Sequence, residues 1–300
     1  MLRINFILSR SWRGLLVLFL ATPLAGRAQP APLVYDLYLV GKPAPTVIVG
    51  HPCSGAMGHP DDWARQLNQW GFNAVNLDSF TPRKLKDVCL GGVPSWPRSR
   101  DAYAMVEIIL SSDWHAGKIG YIGFSHGAST GIYIAKDTKN KKIDAIVSYY
   151  PACVELHQST ISIFDKPKVP IMLALGAADD WTPAADCLSN KKNYEVHLFE
   201  NAHHSFDVPR FRGARSVRCF KGYCTVEFNE EANRLSRIAT RKFFRKHLEG
   251  IEDTNERLSD FELPNTSPEE LKRRQEEDAL YKAMTESINE TSAIEKSDSN

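Results

Sequence analysis

The sequence predicts an α/β fold, a mostly parallel central sheet flanked by helices on both faces. Three observations predict it. Strand-like and helix-like runs alternate along most of the chain, the order that builds parallel sheets. Several strand-like runs are continuously apolar, as strands buried on both faces must be. One junction, Gly123-Phe124-Ser125-His126-Gly127, sets a serine between glycines where a strand-like run passes into a helix-like one.

The elements follow in order. Leu33 to Val40 alternates as a first strand, and Thr46 to Val49 is the second, after Pro43-Ala44-Pro45. Asp61 to Trp70 is amphipathic with an acidic start, hence a helix. Asn73 to Leu77 is a strand ending at Asp78, and Tyr103 to Leu110 reads as a helix. Lys118 to Ile122 is the strand leading into the glycine-flanked serine, and Ala128 to Asp137 is the helix leaving it. Ala145 to Tyr149, Ile171 to Leu175 and Tyr194 to Phe199 are further strands, and Asn229 to Leu248 closes the domain as a long amphipathic helix. No internal repeat is visible.

Composition divides the 300 residues into three parts. Residues 1–28 read as an export signal: Arg3, Arg10 and Arg13 precede the apolar run Gly14 to Ala21, and Gly26-Arg27-Ala28 offers small residues for cleavage. That run is about half the ~20 residues a bilayer span needs, so no stable membrane insertion follows cleavage. Residues 29–250 are the expected folded domain. Residues 251–300 hold 14 acids against 6 bases and form an acidic tail, part helix from Ser267 toward Met284 and part disordered. The tail reads as a solvated extension. It carries sequons at Asn265 and Asn289. A formal net charge of +1 gives no reason to expect nucleic acid as a partner.

An exported chain, secreted or periplasmic, makes the six cysteines a disulfide framework, although six allow 15 pairings. Cys219 and Cys224 flank a turn between two short strands and form the local pair. Cys53 with Cys89 and Cys153 with Cys187 complete the set. The spacings lack the paired C-x-x-C of a zinc site.

Ligands bind beyond the carboxyl ends of parallel strands, and three chemically apt residues lie there. Ser125 follows one strand, Asp179 follows Leu173-Ala174-Leu175-Gly176, and His204 follows the strand ending near Phe199. A serine hydroxyl is a poor nucleophile at neutral pH and needs a base, the role of His204, which an acid must orient, the role of Asp179. Asp180 and His203 are adjacent rivals. The tetrahedral oxyanion needs backbone donors: the His126 N–H is one, and Cys53 supplies the second because Pro52 has none. Arg83 pairs with a substrate carboxylate or, as a structural bridge, with Asp78 or Asp101.

Tyr35-Asp36-Leu37-Tyr38-Leu39, His51-Pro52-Cys53-Ser54-Gly55, Asp78 to Arg83, Gly123 to Gly127, Gly176 to Pro183 and Ala202 to Asp207 together resemble the dienelactone hydrolase family. The resemblance covers Leu33 to Leu248 and implies the α/β-hydrolase fold, with Asp179 as acid and His204 as base. The best-known members use a cysteine nucleophile where this chain has Ser125, and His-Gly where it has His51-Pro52. The expected activity is therefore a serine esterase acting on a small-molecule carboxylic ester or lactone, with no metal or organic cofactor implied. A peptidase or thioesterase on the same triad, an inactive binding or scaffold protein on the same fold, and a redox role for Cys53 and Cys89 are the alternatives. Protein partners are not legible.

Overall fold

The computed structural model describes residues 32–137, 142–153, 166–188 and 194–255. The expected export signal, the expected tail helix and both sequons lie outside them.

Seven strands form one sheet: β1 (Val34–Tyr38), β2 (Ala44–Gly50), β3 (Asn73–Asp78), β4 (His115–Phe124), β5 (Ile143–Tyr149), β6 (Ile171–Gly176) and β7 (Glu195–Phe199). Their spatial order is β1-β3-β2-β4-β5-β6-β7. All neighbours run parallel except β1, which is antiparallel to β3 with Val34 opposite Asp78. β2, β3, β5, β6 and the second half of β4 are almost wholly buried, which is why they read as apolar runs.

Helices cover both faces. Helix α1 (His59–Gln69) and the C-terminal helix Glu230–Phe244 close one face over Trp63, Phe72, Phe124, Tyr149 and Phe243. Helices α2 (Ser99–Leu110) and α3 (His126–Lys136) close the other over Ile48, Met105, Tyr121, Ile132 and Leu173. α1 starts two residues before Asp61, because Asp61 Oδ2 accepts the Gly58 N–H at 2.9 Å and so acts from inside the first turn. α2 likewise starts at Ser99 rather than Tyr103, its polar first turn carrying no apolar periodicity. The C-terminal helix is capped by Asn229, whose Oδ1 accepts the Ala232 N–H. It continues as a wider turn through Arg245–Glu249 and stops at Gly250 with φ 74°.

A third apolar cluster lies above the carboxyl edge of the sheet, beneath the antiparallel hairpin β8 (Arg215–Cys219) and β9 (Gly222–Val226). It contains Cys53, Phe80, Trp181, Phe211, Cys219 and Cys224. Two of the three disulfides, Cys53–Cys89 and Cys219–Cys224, are in this layer, and the third joins Cys153 to Cys187. The pairing is the one expected. It suits an oxidising compartment. No helix among the described residues is long and apolar enough to cross a membrane.

Candidate active site

Ser125 sits where β4 turns into α3, with φ 50°, a conformation that L-residues rarely hold. The flanking glycines make the turn possible. A Cβ on Gly123 would collide with the Gly127 carbonyl, and one on Gly127 with the Gly50 carbonyl of β2. The Ser125 N–H is tied to the Tyr149 carbonyl at 2.9 Å, which fixes the elbow against β5. Its hydroxyl therefore stands at the carboxyl edge of the sheet.

His204 Nε2 lies 3.1 Å from Ser125 Oγ, and His204 Nδ1 lies 2.8 Å from Asp179 Oδ2. With a proton on Nδ1 the imidazole donates to Asp179 and accepts from the serine hydroxyl. All three side chains are buried, Ser125 keeping 7 % exposure. The two Asp179 oxygens divide their tasks. Oδ1 accepts the Trp181 and Thr182 N–H groups at 2.9 and 2.8 Å, holding its own turn, while Oδ2 faces the histidine. Burial alone would raise the Asp179 pKa. The charge and hydrogen bond of His204, with the bonds from Thr182, outweigh it and hold the carboxyl below the usual range.

The neighbouring rivals are placed elsewhere. Asp180 accepts the Thr225 N–H and hydroxyl on β9 at 2.8 and 2.9 Å, and His203 Nε2 stands 3.8 Å from Glu227. These contacts, a bridge between His204 and Val226, and the Glu227 N–H donated to the His204 carbonyl clamp the hairpin onto the loops bearing the acid and the imidazole. Arg83 makes a two-pronged bridge to Asp101, 2.8 Å on each side.

Sequence reasoning missed several residues around the imidazole. Thr182 Oγ1 lies 3.1 Å from His204 Nδ1 and 3.0 Å from both Asp179 Oδ2 and the Tyr150 carbonyl. The rings of Tyr150 and Trp181 pack on the His204 ring at 4.6 and 4.8 Å. Tyr150 itself holds φ 41° just beyond β5. Only its position at a strand's carboxyl end hinted at this. Behind it lies a second buried pair. Asp207 accepts from His59 Nε2, Trp63 Nε1 and Tyr150 Oη at 2.8, 2.8 and 2.7 Å. Burial opposes its charge, but His59 and these hydrogen bonds prevail and hold its pKa at about 2.

The His126 N–H opens helix α3, so no carbonyl one turn earlier in that helix can accept from it. The Cys53 carbonyl accepts the Val88 N–H at 2.9 Å, and its sulfur is bonded to Cys89, so the loop after β2 is pinned beside the elbow. His51, fully buried, is bound by Pro52 O on one nitrogen and the Ser79 N–H on the other. Burial, reinforced by the charge of Arg98, keeps its pKa well below the ordinary value. A cavity of about 330 Å³ beside β1, lined by Asp36, Tyr38, Asp61 and Asp78 among others, is lined by none of the three. Among the described residues no cluster of three metal-ligating side chains occurs.

The sequence profile of the dienelactone hydrolase family matches residues 91–248. Among solved structures, a Klebsiella pneumoniae protein assigned as a dienelactone hydrolase superposes with a TM-score of 0.54 at 17 % identity, covering 72 % of this chain and 100 % of that one. An esterase from Pyrococcus furiosus gives 0.53 at 18 % identity, with 72 % and 88 % covered. A dienelactone hydrolase-like promiscuous phosphotriesterase from metagenomic libraries gives 0.52 at 17 % identity, with 72 % and 93 % covered. At these identities the superpositions establish a shared fold. A search of curated protein sequences finds no match.

Proposed function

Because the chain belongs to the dienelactone hydrolase family, we propose that it is an exported serine hydrolase that cleaves a small carboxylic ester or lactone through an acyl-enzyme. The observation that carries the reading is the continuous chain Asp179 Oδ2 – His204 – Ser125 Oγ, at 2.8 and 3.1 Å. Ser125 Oγ attacks the carbonyl carbon while His204 Nε2 takes its proton, and Asp179 stabilises the imidazolium. The carbonyl π electrons move onto oxygen, where the N–H groups of His126 and Cys53 receive the negative charge. Collapse expels the alcohol, which recovers the proton from His204. Water then repeats the sequence on the acyl-enzyme and frees the acid; a lactone gives one hydroxy acid. No residue in this scheme requires a metal or organic cofactor. The three disulfides support residence outside the reducing cytoplasm. The esterase and phosphotriesterase among the structural relatives agree with attack on an ester-like centre.

A fluorophosphonate probe tests the assignment. The native protein is expected to label, and Ser125→Ala to lose both labelling and p-nitrophenyl ester hydrolysis by several orders of magnitude. Persistent turnover in Ser125→Ala would sink it.

A further inference from the structure

Arg98 is a buried cation without a carboxylate. It is 4 % exposed, its Nε has no hydrogen-bond partner, and among the described residues no acid forms an ion pair with it. The nearby Asp101 is engaged on both oxygens by Arg83, and Asp78 by Phe80 and Thr81. Its compensation is weak: one hydrogen bond to His126 Nδ1 at 2.9 Å and the face of Phe80 at 5.2 Å. Burying a charge so poorly paired costs stability, so its retention calls for a reason.

Its neighbours supply the reason. His126 follows Ser125 directly and donates from Nε2 to the Val93 carbonyl at 2.9 Å, so its Nδ1 is a lone-pair acceptor aimed at Arg98. Phe80, whose face carries the guanidinium, meets both His51 and His126 edge-on at 4.4 and 6.0 Å, so one ring joins Arg98 to both loops bearing the two candidate oxyanion donors. Burial, then Arg98, drives the His126 pKa down to about 4, so the ring stays neutral and places no second cation beside the guanidinium. A standing positive charge with no carboxylate bonded to it, helped only at a distance by Asp101 and Asp78, gains a further counter-charge when the carbonyl oxygen becomes an oxyanion.

Resting on the serine hydrolase reading above, we propose that Arg98 is a positioning residue for oxyanion stabilisation: it locks His126 at the elbow and lends its unpaired charge to the loops whose amides meet the oxyanion. The test is Arg98→Met beside Arg98→Lys, measuring kcat and KM on a p-nitrophenyl ester, inhibition by phenylboronic acid as an anionic tetrahedral mimic, and Tm. Arg98→Met is expected to lower kcat about tenfold or more with KM nearly unchanged, to weaken boronate inhibition in parallel, and to keep or raise Tm. Arg98→Lys is expected to recover most of kcat. A structural brace behaves oppositely. If Arg98→Met loses Tm or fails to fold, or if it folds and turns over like the native protein, the inference is wrong. So it is if Arg98→Lys recovers nothing. Native protein inert to both ester and fluorophosphonate overturns the hydrolase reading and this inference with it, whereas active native protein with an indifferent Arg98→Met overturns this inference alone.

Discussion

Two buried histidine–aspartate pairs lie on either side of Tyr150, and they differ in which nitrogen faces the acid. His204 gives Nδ1 to Asp179 and keeps Nε2 for a serine hydroxyl, whereas His59 gives Nε2 to Asp207. Both contacts are 2.8 Å. Asp207 also collects Trp63 and Tyr150, and Arg237 packs its cation over Trp63 at 4.2 Å, so this pair ties α1, the end of β5 and the His204 loop into one network. The His59 ring meets the edge of Phe124 instead of a nucleophile. A short histidine–carboxylate contact therefore does not identify a reaction site. The two pairs are told apart by what else each imidazole faces, a serine hydroxyl or a phenyl edge.

Three experiments would break or sharpen this contrast. The largest effect is expected from Asp179→Asn. The Asn Oδ1 can keep the Trp181 and Thr182 N–H bonds, but Nδ2 would face His204 Nδ1 donor to donor and force the wrong tautomer. Ester kcat should fall by about 10³–10⁴-fold with little change in Tm; a variant within tenfold of native would show that Asp179 does not orient the imidazole. Asp207→Ala should do the reverse. Removing it orphans three buried donors beside a buried arginine, at a cost of about 3–5 kcal/mol in urea unfolding. The remaining folded protein should still label at Ser125, so loss of labelling without loss of stability would move Asp207 into the chemistry.

The smallest effects are two separate steps in acid stability, and the sign of each follows from the direction of its pKa shift. The His126 pKa is depressed to about 4, so the folded state resists a proton that the unfolded chain takes up near pH 6.5. Stability should fall as pH drops from about 6.5 to 4, by about 3 kcal/mol. Asp207, held at about 2, contributes above the ordinary carboxylate pKa and is lost between about pH 4 and 2, roughly another 2 kcal/mol. Thermal melts from pH 7 to 2 should show Tm declining from about 6.5 and again below 4. His51, whose pKa is also depressed by burial, acts in the same direction, so a flat Tm between 6.5 and 4 would place both buried histidines in a more solvated setting than their contacts allow.

The two pairs were unequally legible. Asp179 and His204 each follow a readable apolar strand, so position alone drew attention to them. Asp207 and His59 lie 148 residues apart, in a loop and at a helix start, with no period to mark them. Thr182 was visible only as part of a motif. The described sheet and helices were legible almost throughout, with boundary shifts at α1 and α2 where polar first turns hide the helix period.

Local physics accounts for what could be read without coordinates. Strand and helix periods, flanking glycines that clear room for the turn at Ser125, and the close spacing of Cys219 and Cys224 all act over a few residues or through chain order, and they determined the strands and helices, the elbow and the local disulfide. Tertiary structure alone decided which histidine meets the serine, which acid meets that histidine, and that Arg98 is buried with no carboxylate bonded to it. Those are contacts between side chains 25 to 79 residues apart or more, set by how whole elements pack, and no local pattern encodes a distance across the fold.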